Sequence, residues 1–342
     1  MPTLNERIAR FYDDTSPLWL DVWGDHMHHG YYGPDGADTG KPRREAQLDL
    51  IEELIDFARL DERVPYRVLD AGCGVGGSAR YLAGRYGARA LGLTLSAYQA
   101  AEGNARAKDE GCDHLVELRA QDVYTLTGQA GEFDLVWSLE SAEHMPDKRA
   151  LMTHFYELLR PGGTLAMVTW CRRATPPALT DEEQRQLDNI AELYHLPPWV
   201  PVSDYVSAAE DLGFEDIRTD DWSAAVAPFW GEVIKSALQP SNLFGLLKSG
   251  ASGVKGAWAM QYMRGGFKSG LIEYAVLTAR KPVPVKSPTP APKTKRKAAA
   301  KPKAAARSAA KPKPAAKTKP ATKSKTRPAK KDAGGTKPEA KN

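Results

Sequence analysis

The stretch YRVLDAGCGVGGSARYLAGRY, residues 66–86, restricts this chain more than any other. A short apolar run, four glycines within six residues and then a helical pattern read as strand, tight turn and helix. The next segment, ARALGLTLSAYQAAEGNARAKDEG, repeats strand and helix, the helix opened by Ser96 with Gln99 three residues on, the spacing of a capping box. A third strand is expected in LVELRAQDV and a fourth in FDLVWSLE. KRALMTHFYELLRPGGTLAMVTW reads as a helix, a Pro-Gly-Gly turn and a fifth strand. GFEDIRTDDW and LIEYAVLTARK supply two later strands, with a mainly helical, apolar insertion between them at 223–270. Strands alternating with helices at this spacing imply an α/β domain, its parallel sheet covered on both faces.

Gly72, Gly74 and Gly77 satisfy G-x-G-x-x-G, which on its own also suits a dinucleotide. Two details favour another ligand. Asp70 stands two residues before the first glycine, where a negative charge repels a pyrophosphate and suits a cation. No acid follows ALGLTLS, where a dinucleotide enzyme holds its ribose. S-adenosylmethionine, with an adenosine, an amino-acid end and a positive sulfonium, fits better. Gly72 and Gly74 admit close backbone approach, and the helix start after Gly77 offers free N–H groups to a carboxylate. Downstream, AQDV places Asp122 and Val123 at the third strand's end, and GEFDLVWSLESAEHM ends the fourth strand beside the transferable methyl.

With those segments in hand, the chain resembles the γ-tocopherol methyltransferases and the related cyclopropane-synthase-like and sarcosine/dimethylglycine methyltransferases. LWLDVWGDHMHHGYYGPDG, FDLVWSLESAEHMPDK, PGGTLAMVTWCRR, LPPWVPVSDYV and DWSAAVAPFWGEVIKSAL carry the likeness across the body of the chain. The resemblance implies a Rossmann-like seven-stranded fold, with a helical N-terminal cap at 1–62, a core at 63–280 and a lid within it at 223–270. It implies cofactor roles for Asp70, Gly72, Gly74, Gly76, Gly77, Thr94, Leu95, Gln99 and Asp122. It also implies that the segment before the first strand closes over the cofactor, which places Tyr12, His29, Gly30 and Tyr31 there.

A small-molecule acceptor follows, a lipophilic phenol by resemblance, although the same scaffold serves nitrogens and other hydroxyls; a nucleic-acid-associated protein using a methyltransferase fold is the other class. A phenol ring needs a base to take its proton. His144 and Glu140, after the fourth strand, are the candidates, while Glu143 reads as a solvated or capping residue. The cluster DHMHHGYY, residues 25–32, has His26 and His28 at alternate positions but no partner set at metal-ligand spacing. Imidazole and aromatic walls around a cation are the better reading, with plain packing of the N-terminal helices as the alternative. Phe229, Trp230, Leu243, Phe244, Leu246, Leu247, Trp258 and Met260 make the insertion a lid or a simple cap.

Charge divides the chain. Residues 281–342 hold 17 Lys and 3 Arg against one Asp and one Glu, whereas the preceding 280 carry 27 basic and 41 acidic residues. The tail, built of Lys, Ala, Pro, Ser and Thr, is expected to be disordered. It suits non-specific nucleic acid, an anionic membrane surface, or solubilisation alone. Three unevenly spaced cysteines exclude a disulfide framework and point to a reducing compartment. No secretory signal, plastid-type leader or transmembrane run is evident, so the expected location is cytoplasmic and a plant plastid enzyme is not expected.

Overall fold

The structure, a computed structural model, describes residues 2–237 and 261–284. Seven strands form one sheet: β1 (Arg67–Ala71), β2 (Arg89–Thr94), β3 (Val116–Ala120), β4 (Phe133–Leu139), β5 (Leu159–Arg172), β6 (Glu215–Asp221) and β7 (Ile272–Arg280). Their order is β3-β2-β1-β4-β5-β7-β6. The first five run parallel, and β7 lies antiparallel to both β5 and β6. The sheet is therefore mixed, not wholly parallel as its strand–helix alternation suggested. β6 ends beside the start of β7, with Asp221 opposite Ala275, so a connection that stays at one end of the sheet delivers β7 reversed.

Helices α1 (Leu4–Trp23) and α2 (Arg43–Phe57) precede the sheet. α3 (Gly77–Tyr86), α4 (Ala97–Asp109) and α5 (Lys148–Leu158) alternate with its strands. α6 (Asp181–Tyr194) and α7 (Val202–Leu212) join β5 to β6. α8 (Ser223–Val226), α9 (Pro228–Ala237) and a helical stretch at 261–269 lie between β6 and β7. Leu243, Phe244, Leu246, Leu247, Trp258, Met260 and the tail from residue 285 lie outside the described residues. No described helix is long and apolar enough to cross a membrane.

Successive residues of a strand point to opposite faces, and the buried side chains divide accordingly. Val68, Leu135 and Trp137 join one apolar cluster with Leu50, Ile51 and Leu82, while Leu69 and Val136 join another with Phe155 and Tyr205. Both faces of the sheet are thus covered, and its strand ends are left to form a crevice. The expected Pro-Gly-Gly turn is absorbed into the start of β5. Phe133 pairs with Leu159 and Leu135 with Thr164, so the register jumps across residues 160–163.

Close packing leaves its mark at Gly103 in α4. A Cβ there would lie 2.3 Å from Leu118 Cδ2 and 2.7 Å from the Val75 carbonyl oxygen. In an open helix Gly→Ala stabilises by up to about 1 kcal/mol, but overpacking costs about 1–3 kcal/mol. Gly103→Ala is therefore expected to lower the urea midpoint of unfolding, against the usual helical trend.

Candidate active site

A cavity sits at the C-terminal ends of β1, β2, β3 and β4, the edge where open α/β sheets bind ligands. The turn after β1 supplies Asp70, Gly72, Gly74 and Gly77, the end of β2 supplies Thr94, Leu95 and Gln99, and the end of β3 supplies Asp122 and Val123. Glu140 and His144 line it from the segment after β4, and Tyr12 from α1. Twelve expected residues thus meet at one place. Gly76, His29, Gly30 and Tyr31 are not among the lining residues. Gly76 is held by packing, since a Cβ would come within 2.7 Å of Leu118. Gly30 lies against Ala46 in the same way, and the Tyr31 N–H donates to the Ala46 carbonyl at 2.7 Å. The wall expected from His29 to Tyr31 is built one step earlier, by His26, Met27 and His28.

The two glycines expected to approach the ligand have different reasons for being glycine. Both have positive φ, +84° at Gly72 and +54° at Gly74. A Cβ at Gly72 would strike Ser141, whose Oγ donates to the Ala71 carbonyl and ties β1 to the segment after β4. A Cβ at Gly74 would meet nothing within 4 Å, so there the backbone itself faces open cavity. Asp70 is 1% exposed; one carboxylate oxygen, Oδ2, has no partner, and burial pushes its pKa up to about 7 despite a hydrogen bond from Ala79. A buried carboxylate with one bare oxygen, beside a bare glycine backbone, suits a ligand that brings positive charge and lies close to the chain. S-adenosylmethionine meets both requirements.

The Ser96–Gln99 pair forms only half of the expected capping box. The Gln99 N–H donates to Ser96 Oγ at 3.0 Å, but the Gln99 side chain turns away, accepting from Thr94 Oγ1 at 2.7 Å and donating to Ser16 Oγ at 3.0 Å. Helix α1 crosses the cavity through such contacts. Asn5 Nδ2 donates to Asp122 Oδ2 at 2.6 Å, and Tyr12 Oη pairs with His144 Nε2 at 2.9 Å. Asn5 and Ser16 were not foreseen, because nothing local to α1 signals which of its turns faces β2 and β3.

Glu140 does not stand ready as a base. It adopts φ +53°, the left-handed region a non-glycine residue rarely enters, at the sharp turn ending β4. One oxygen accepts from the His29 backbone N–H at 2.6 Å and from the Tyr274 hydroxyl, and the other pairs with His29 Nδ1 at 2.8 Å. Burial alone would raise its pKa, but His29, His28 and the Tyr274 hydrogen bond hold it below the usual value. His144 is pushed down to about 3 by burial, then by Lys148 and His195, and stays neutral. Glu143, expected at the solvated edge, is buried instead, bonded to Thr169 Oγ1 at 2.8 Å, and pushed up to about 8 by burial and by Glu140.

A family model described as a methyltransferase domain matches residues 68–163. A probable chloroplastic tocopherol O-methyltransferase of Oryza sativa subsp. japonica is 46% identical over 287 residues, covering 82% of this chain and 79% of that protein. The chloroplastic tocopherol O-methyltransferase of Arabidopsis thaliana is 42% identical, covering 82% and 83%. Among solved structures, geranyl diphosphate C-methyltransferase from Streptomyces coelicolor A3(2), in complex with S-adenosyl-L-homocysteine, shares the fold with a TM-score of 0.66 at 22% identity over 82% of this chain and 98% of that one. The chloroplastic relatives overturn the cytoplasmic expectation and the reading against a plastid enzyme. Unpaired thiols report reducing conditions and do not distinguish one reducing compartment from another.

Asp70 generates a pH test of cofactor binding. Below about pH 7 the free protein holds Asp70 protonated, whereas a cationic ligand favours the carboxylate, so binding releases a proton. Calorimetry is expected to show S-adenosylmethionine affinity weakening as pH falls through 7. Asp70→Asn should lose affinity and that part of the slope, which separates Asp70 from the ligand's own amine. Equal slopes in both proteins would refute the assignment.

Proposed function

The chain belongs to the tocopherol-type S-adenosylmethionine-dependent methyltransferases, and from that membership we propose that it methylates a lipophilic phenol of the tocopherol class, on the ring. The observation that carries the reading is one continuous cavity. It is lined at once by the Asp70–Gly74 cradle and by Ile8, Leu139, Met145 and Pro146, so an ionic seat for the methyl donor adjoins an apolar one.

When bound, S-adenosylmethionine supplies an electrophilic methyl group on a positively charged sulfur. The protein's part is alignment and exclusion of water. Asp70 meets the ligand's positive charge, Gly74 lets backbone lie against it, and Thr94, Leu95, Gln99, Asp122 and Val123 hold the adenosine end. α1 covers the cavity, and removing Asn5 or Ser16 from it would uncover Asp122 and Gln99. Neutral His144, with Tyr12 on one nitrogen and no partner on Nδ1, orients the acceptor.

Incubation with methyl-labelled S-adenosylmethionine and a panel of chromanols and prenylated hydroquinones is expected to label at least one, with a new ring C–CH3 signal in the product NMR spectrum. An O–CH3 signal would move the transfer to oxygen. No transfer to any member would defeat the phenol reading.

The basic tail is proposed to bind nucleic acid through its phosphates, without sequence preference. A protein ending at Arg280 should keep full turnover, while the full chain should bind duplex DNA with affinity that falls steeply as salt rises. Binding to anionic vesicles but not to DNA would replace this reading with membrane adhesion.

A further inference from the structure

The segment before α2 brings an imidazole to the cofactor cavity with one nitrogen unused. His28 lines the cavity and is only 6% exposed. Its Nδ1 lies 2.8 Å from the His29 carbonyl oxygen. A carbonyl only accepts hydrogen bonds, so the ring hydrogen sits on Nδ1 and the lone pair of the neutral ring on Nε2. That Nε2 is buried and has no partner among the described residues. Burial opposes the imidazolium and lowers the pKa, although Glu140 and the His29 carbonyl favour it. The backbone carrying the ring is fixed by Gln47 on α2, whose Nε2 donates to the His26 carbonyl at 2.6 Å and to the His28 carbonyl at 2.9 Å. The His26 ring stands beside that of His28, 5.2 Å between centroids, and its Nδ1 would lie 2.7 Å from a Cβ on Gly77. The pair therefore sits against the start of α3, where Gly77 and Ser78 also line the cavity. First-turn N–H groups have no partner within their helix and suit a carboxylate.

S-adenosylmethionine carries hydrogen-bond donors in three places: the adenine amine, the ribose hydroxyls and the α-ammonium. The first two belong to the adenosine end, held by Thr94, Leu95, Gln99, Asp122 and Val123. The carboxylate only accepts, and the sulfonium has no hydrogen to give. With the amino-acid end at the start of α3, the ammonium is the donor that meets a lone pair there. We infer that His28 Nε2 accepts a hydrogen bond from the α-ammonium of the cofactor, so that a neutral imidazole selects ligands with a free amine. The bond is charge-assisted, and therefore stronger than one between neutral groups. Asp70, from the end of β1, and His28, from the segment before α2, then share the ligand's positive end. Gln47 acts through the backbone as the positioning residue. The ionisable groups facing His28 are Glu140 from the end of β4, and His26 and His29 from its own segment. The assignment concerns the cofactor and is independent of which acceptor is methylated.

Calorimetry on the full chain tests this with two ligands, S-adenosylhomocysteine and its desamino analogue, which keeps the carboxylate and lacks only the amine. His28→Phe keeps a ring without an acceptor. It is expected to weaken S-adenosylhomocysteine binding about 10–100-fold and to leave the desamino analogue unchanged, a retained affinity that also shows the variant to be folded. His28→Gln, whose amide oxygen accepts in place of Nε2, should keep the preference for the amine. A wild type that binds both ligands equally overturns the assignment, as does a His28→Phe protein that prefers the amine as strongly as the wild type. Where His28→Phe binds neither ligand, His28→Gln decides, and loss of both affinities there overturns it too. None of these measurements involves the acceptor, so the phenol reading stands or falls separately.

Discussion

The Glu140 carboxylate is the point on which the site's construction depends. It holds the His29 backbone N–H, the His29 ring and the Tyr274 hydroxyl, and so joins the end of β4 to the N-terminal segment and to β7. To do so it enters a left-handed backbone conformation, which costs about 1–3 kcal/mol. Hydrogen bonds to a charged group contribute about 1.5–3 kcal/mol each, so three of them outweigh the strain. The consequence is a segment before β1 that is fixed against the sheet by tertiary contact.

Around that knot, the charges are arranged by burial more than by solvent-exposed pairing. Asp70 and Glu143 are carboxyls whose pKa values rise because water is excluded, whereas Glu140, equally buried, stays below the ordinary value because donors surround it. Burial thus pushes Asp70 and Glu143 toward the neutral form, while its donors hold Glu140 toward the charged one. Asp70 alone among them combines a partnerless oxygen with a place on the cavity wall, which makes it the one that gains most from an arriving cation.

Much of this was legible before the structure. Strand–turn–helix punctuation located all seven strands, because apolar runs and glycine turns are local signals. The cofactor class followed from Asp70 preceding Gly72 and from the missing acid after β2, both fixed by spacing along one stretch. Less could be read where two readings share one local pattern. The spacing of Ser96 and Gln99 promised a reciprocal cap, yet Gln99 turned to Thr94 and Ser16, the latter 83 residues away. Glu143 read as solvated or capping, but it is buried and Thr169 on β5 donates to its carboxyl, a partner 26 residues away.

The histidine cluster separates what sequence determined from what only tertiary structure decided. Sequence determined a glycine-turn α/β sheet, a cation-bearing cofactor and an aromatic–imidazole segment ahead of β1, since each depends on residue types at short range. It did not decide which histidine does what. His26, Met27 and His28 line the cavity while the next residue, His29, turns to a carboxylate 111 residues further on. A side chain's proton, tautomer and basicity are set by whatever the folded chain brings against it, and those partners are distant in sequence.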